Sequence, residues 1–110
     1  MKRFMLLLLI CLALSGANRP TLNVSCDPCA SGSLVTITGT GYPKNQNIEI
    51  EATDPDGAVF EGWYPGNGGS FSVSTTDFVK VGQWSLVSYS LHNNDVNNRT
   101  LQDTATFIVQ

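Results

Sequence analysis

Residues 32–57, GSLVTITGTGYPKNQNIEIEATDPDG, decide the fold. Leu34, Val35 and Ile37, then Ile48, Ile50 and Ala52, fall at strand-like spacing with Thr and Glu between them. The two runs meet at a Gly-x-Gly-Tyr-Pro corner, residues 39–43, and the second is closed by the Asp-Pro-Asp-Gly turn at residues 54–57. An apolar period of two predicts a half-buried antiparallel sheet here and excludes a helix.

The same texture extends outward in both directions. TLNVS at 21–25 reads as an opening strand, and AVFEGWY at 58–64 follows the acidic turn as another. PGNGG at 65–69 is a loop by composition. SFSVST at 70–75 sets Phe71 and Val73 on one face. GQWSLVSYSLH at 82–92 is a long strand, with Trp84 and Leu86 on one face and Val87, Tyr89 and Leu91 on the other. Residues 93–98 form a polar turn region, and TATFIV at 104–109 closes the chain with Ala105, Phe107 and Val109 alternating. About seven short strands, spaced roughly every 8–12 residues without a helical segment, predict an all-β antiparallel sandwich.

Lys2 and Arg3 precede an uninterrupted apolar run from Phe4 to Leu14, and Ser15-Gly16-Ala17 supplies the small residues of a cleavage site. The run is short of the roughly 20 residues that span a bilayer, so residues 1–17 are expected to be a cleaved signal peptide rather than an anchor. Leu9 and Ile10 before Cys11 make a lipoprotein site the weaker alternative. The expected mature chain, 18–110, is one small domain, secreted, periplasmic or on the cell surface, without membrane insertion. Without Lys2 and Arg3 it carries four basic against nine acidic residues, a net charge of −5, and no basic patch. Nucleic acid and anionic membranes are therefore poor partners.

Cys11 leaves with the signal peptide, so Cys26 and Cys29 remain as an even pair in an oxidising compartment. A Cys-Asp-Pro-Cys turn can bring its ends to disulfide distance, where so short a loop contributes about 2 kcal/mol. A redox dithiol would sit at a helix start, whereas Ala30-Ser31-Gly32-Ser33 leads into a strand. Zinc wants four ligands, and beyond this pair the chain offers one histidine, His92. A local structural disulfide is the reading that fits best.

Gly39-Thr40-Gly41-Tyr42-Pro43 followed by Ile48-Glu49-Ile50 resembles the second and third strands of bacterial immunoglobulin-like surface modules. Gly82-Gln83-Trp84-Ser85-Leu86 and the closing Ala105-Thr106-Phe107-Ile108-Val109 resemble their last two strands. The resemblance implies an immunoglobulin-like sandwich over most of 18–110, with Tyr42 folded over the edge of the core. The chain departs from antibody-type domains in having no cysteine on the Trp84 strand.

Catalysis is not expected. His92 has no nucleophile motif beside it and reads as a solvated turn residue. Glu49 and Glu51 alternate with Ile48 and Ile50, which places both on the wet side of a sheet rather than in a sugar-cleaving pair. Asp54 and Asp56 are explained by their turn, with a calcium site the weaker reading. No cofactor or metal site is expected. Binding is the better hypothesis, and Trp63, Tyr64 and Asn67 are its candidate residues. Trp63 and Tyr64 are adjacent on a strand and face opposite ways, one toward the core and the other either exposed beside the Asn67 loop or, in the plainer reading, packed over an edge strand. Trp84 is read as core. Asn23-Val24-Ser25 and Asn98-Arg99-Thr100 are glycosylation sequons in a host that modifies secreted asparagines. The expected function is adhesion or recognition of a cell-surface protein or glycan. The alternatives are a structural assembly subunit of an envelope or particle complex, and a small carbohydrate-binding module or secreted inhibitor.

Overall fold

The structure, a computed structural model, describes residues 19–66 and 69–110. The expected signal peptide, 1–17, and the candidate site residue Asn67 lie outside the described residues. Among the described residues seven strands are formed: β1 (Thr21–Val24), β2 (Val35–Thr40), β3 (Asn47–Thr53), β4 (Val59–Gly66), β5 (Phe71–Thr75), β6 (Gly82–His92) and β7 (Asp95–Val109). They make two antiparallel sheets, β1-β2-β5 and β4-β3-β6-β7, packed face to face as a sandwich.

Period two dictates the core. Val35 and Ile37 of β2 meet Ile48, Ile50 and Ala52 of β3 and Trp84 and Leu86 of β6. Leu34 stays outside, 66% exposed, because the alternation that buries Val35 and Ile37 turns their neighbour outward. Two glycines shape the corner for different reasons. A Cβ on Gly39 would lie 2.2 Å from the Phe71 ring, so that position has no room for a side chain. Gly41 instead supplies a positive φ of 79°. The chain then reverses so that Tyr42 enters the core, its ring edge-on to Phe71 at 5.1 Å.

Two strands run further than composition predicts. β4 continues through Pro65 and Gly66, because an edge strand tolerates proline on its unpaired side. At the other end, the polar stretch 93–98 reduces to a two-residue turn. Asn93 and Asn94, at φ 51° and 60°, reverse the chain, and β7 begins at Asp95. Consecutive left-handed asparagines are what a tight hairpin favours.

The sandwich has a closed side and an open side. On the closed side the Cys26–Cys29 disulfide, with a cis Asp27–Pro28 bond between its ends, carries the chain from β1 across to β7. There Cys29 N–H donates to Ile108 O at 2.7 Å, and Asp27 Oδ1 accepts from Ile108 N–H at 2.9 Å. On the open side stand the edge strands β4 and β5. β4 is bulged: Ala52 faces Phe60 and Ile50 faces Trp63, so Glu61 and Gly62 together span one partner residue, Glu51. A Cβ on Gly62 would lie 1.3 Å from Ile50 O, an approach only glycine permits. Gly62→Ala is therefore expected to break the β3–β4 pairing and cost roughly 3 kcal/mol. Urea denaturation checks this, and an unchanged midpoint would contradict it.

Candidate functional site

The β4 bulge decides where the aromatic residues go. Phe60 and Trp63 are three residues apart, which on a regular strand would place them on opposite faces. The inserted residue brings both round to the inner side, and Tyr64 then points outward. Trp63 and Tyr64 thus occupy opposite faces of one sheet and do not form one site.

On the inner side, Trp63 joins an aromatic cluster around Phe78. Phe78 contacts Trp84 and Phe107 edge-on, each at 5.0 Å, and Trp63 at 5.7 Å. Phe60, 48% exposed, stacks on Trp84 at 6.0 Å. Trp84 is core, as its place on β6 predicts, and its indole N–H donates to Lys80 O at 2.8 Å. Between these rings, at the open side of the sandwich, lies a groove of about 420 Å³ with Asp77 on its rim. Period alone does not single out Phe78, which lies beyond the end of β5 and is held inward by the loop. The Gly32 N–H donates to its carbonyl at 3.0 Å.

The outer face of the four-stranded sheet holds a second constellation. Glu49 alternates with isoleucines, yet it is only 3% exposed. Its carboxylate accepts from Arg99 at 2.7 Å and from the Tyr64 hydroxyl at 3.1 Å. Arg99 also reaches Glu51 at 3.3 Å, and its guanidinium lies 3.8 Å from the centroid of the Tyr89 ring. The wet-side placement of Glu49 is thus corrected: its side chain does point away from the core, but β7 folds Arg99 over it. Arg99 arrives there because β7 starts at Asp95 and pairs Arg99 with Leu91. The hydrogen bond to Glu49 outweighs desolvation and raises the guanidinium pKa further. Around this ion-paired centre stand exposed apolar side chains: Tyr64 at 53%, Leu101 at 56%, and Val96. Leu91, on the same face, is buried beneath them.

His92 is exposed at the end of β6, beside the Asn93–Asn94 turn. The acidic turn is held by its own hydrogen bonds. Asp54 Oδ1 accepts from the backbone N–H groups of Asp56 and Ala58, at 2.8 and 3.0 Å. The Lys80 ammonium sits against both carboxylates, 3.3 Å from Asp54 and 2.6 Å from Asp56, in the place a cation would take. Both sequon asparagines, Asn23 and Asn98, are exposed.

No protein-family model matches the chain, and no curated protein matches its sequence.

The acidic turn carries a pH dependence. Burial disfavours the Asp54 carboxylate, but the two backbone N–H donors and Lys80 outweigh that and hold its pKa below the ordinary value of 3.8. A depressed carboxyl stabilises the fold fully above its unfolded pKa, and the contribution fades as pH falls through the folded value. The stability advantage of the natural protein over Asp54→Asn is thus expected to be constant above about pH 5 and to shrink below about pH 4. Melting curves of both proteins between pH 2 and 7 test this, and an advantage that grows on acidification would contradict it.

Proposed function

We propose that the protein is a secreted or cell-surface, non-catalytic recognition module of the immunoglobulin-like type, binding through the outer face of β4-β3-β6-β7. Its strand order supports the immunoglobulin-like part of this reading. Strands one, two and five share a sheet, and three, six and seven share the other, the division of strands A, B, E and C, F, G in that architecture. β4 pairs with β3 instead of β5.

The observation that carries the functional part is the patch around Arg99. Protein contact surfaces are enriched in tyrosine and arginine at their centres, and they bind best when those groups are already fixed. Arg99 is held by Glu49, Glu51 and Tyr89, Tyr64 is held by Glu49, and exposed Leu101 and Val96 lie alongside. An exposed tyrosine ring, that of Tyr64, beside a fixed polar centre suits a sugar face or a protein side chain equally.

The test compares the purified protein with Leu101→Arg, each immobilised and exposed to intact cells and to purified polysaccharides. Leu101 is solvent-exposed, so the substitution is expected to change stability by less than about 0.5 kcal/mol. Retention of cells or polysaccharide by the natural protein, reduced about tenfold or more in the variant, is the expected result. Equal retention by both proteins would overturn the assignment of this face.

A further inference from the structure

Strand edges determine what a sheet can pair with, and stable proteins protect them. Among the described residues the β1 edge is bonded and the β4 edge is broken, while β7 is covered only at its carboxyl end and carries the charges of Asp95, Arg99 and Asp103 along the remainder. Residues 27–31 cover the end of β7, where Ser31 N–H also donates to Gln110 O at 2.9 Å. The Leu22 N–H of β1 donates to Asp103 Oδ2 at 2.8 Å. β4 is broken by two register shifts and by Pro65. β5 differs from all of these. Its register with β2 is unbroken over five residues, no strand among the described residues is hydrogen-bonded to its other side, and Phe71-Ser72-Val73-Ser74-Thr75 contains no charge, proline or bulge.

We propose that the protein is a two-fold symmetric homodimer, formed by antiparallel pairing of β5 with β5 of a second copy and centred on Val73. This proposal stands independently of the recognition face. A symmetric contact must be self-complementary, and this one is. Ser72 falls opposite Ser74 of the second copy, and Phe71 falls opposite Thr75. The outward side chains of β1-β2-β5 are hydroxyl or amide groups: Thr21, Asn23, Thr36, Thr38, Ser72 and Ser74 are among them. A mature chain expected to carry a net charge of −5 therefore offers its copy an uncharged sheet, while the Glu49, Glu51 and Arg99 charges lie on the other sheet.

Charge complementarity selects the same register. Pairing about Val73 carries Asp77 to the level of Gly69 in the second copy. Lys44 lies against Gly69, its Cγ 3.5 Å from where a Cβ would stand. Among the described residues neither Lys44 nor Asp77 has an ion-pair partner within its own chain. The dimer gives each one, twice by symmetry. It also stands the second copy beside the groove at the open side, next to the exposed Phe60 ring. The two Arg99 faces remain free, and one particle presents two of them to a surface, which raises avidity without new contacts.

Sedimentation or light scattering of the purified protein at micromolar concentration is expected to give the mass of two chains. Ser72→Lys with Ser74→Lys, both on exposed outward positions, is expected to give the single-chain mass and a cooperative melting transition whose midpoint, unlike that of the natural protein, does not rise with concentration. Lys44→Glu is expected to weaken the dimer about tenfold, and adding Asp77→Lys to restore it. A single-chain mass for the natural protein at about 100 μM would overturn the proposal, since a dimer weaker than that has no role in solution. A dimer indifferent to the lysine pair would overturn it by placing the contact elsewhere. Lys44→Glu without effect, or without rescue, would overturn the register.

Discussion

The Ser88 hydroxyl is the point on which the two sheets depend. It is fully buried on β6, and three groups converge on it. Its proton goes to Asp103 O at 3.1 Å, and its oxygen accepts from Asp103 N–H at 3.2 Å. The Tyr42 hydroxyl lies 2.6 Å away and donates to the remaining lone pair. Asp103 in turn accepts the Leu22 N–H with its side chain. One chain of hydrogen bonds thus links the β2–β3 corner, the two strands of the β6–β7 hairpin and the edge of β1. Burial raises the Tyr42 pKa, against the opposing effect of its bond to Ser88, so the phenol stays protonated and able to donate. Apolar burial supplies more free energy, roughly 1.5–3 kcal/mol for each large side chain, against about 1 for a hydrogen bond. The bonds decide which residues meet. An unmatched hydroxyl at this depth would cost more than a bond contributes, so other registers are penalised.

That network also explains the shape of the β6–β7 hairpin. Ser88 pairs with Asp103 and Tyr89 with Leu101, which leaves Gln102 as the extra residue of a bulge. Gln102 donates to the buried Ser90 hydroxyl at 2.8 Å. Beyond the bulge, Arg99 and Leu101 fall on the outer face, over Glu49 and beside Tyr89. The position of the proposed recognition face is therefore a consequence of how the core is pinned. The opposite end of the core is aromatic, organised by Phe78, and its packing leaves the groove at the open side. A polar, register-fixing half and an aromatic, volume-filling half divide the interior between them.

Local chemistry was legible in the sequence, and long-range placement was not. The β6 boundaries follow from GQWSLVSYSLH, the acidic turn from its Asp-Pro-Asp-Gly chemistry, and the opposite facing of Trp63 and Tyr64 from strand geometry. The two cysteines lie three residues apart in a turn, and the structure joins them. Leu34 was ambiguous because two adjacent apolar residues leave the phase of a strand open. Glu49 reads as wet by alternation, and only the position of Arg99, 50 residues later, shows otherwise. Phe78 has no periodic neighbour, and its burial depends on a loop. Ser88 and Asp103 read as ordinary polar strand residues until the bulge that joins them is seen. In each case the deciding partner is distant in the chain, which no window of sequence contains.

If the Ser88 network acts as one unit, its two ends must feel each other although they do not touch. A double-mutant cycle on Tyr42→Phe and Asp103→Ala, read by urea denaturation, measures that coupling. A coupling of about 0.5 kcal/mol or more, with the second change costing less once the first is made, is the expected result. Costs that add to within about 0.3 kcal/mol would mean independent bonds and would contradict the claim that one buried hydroxyl pins the sandwich.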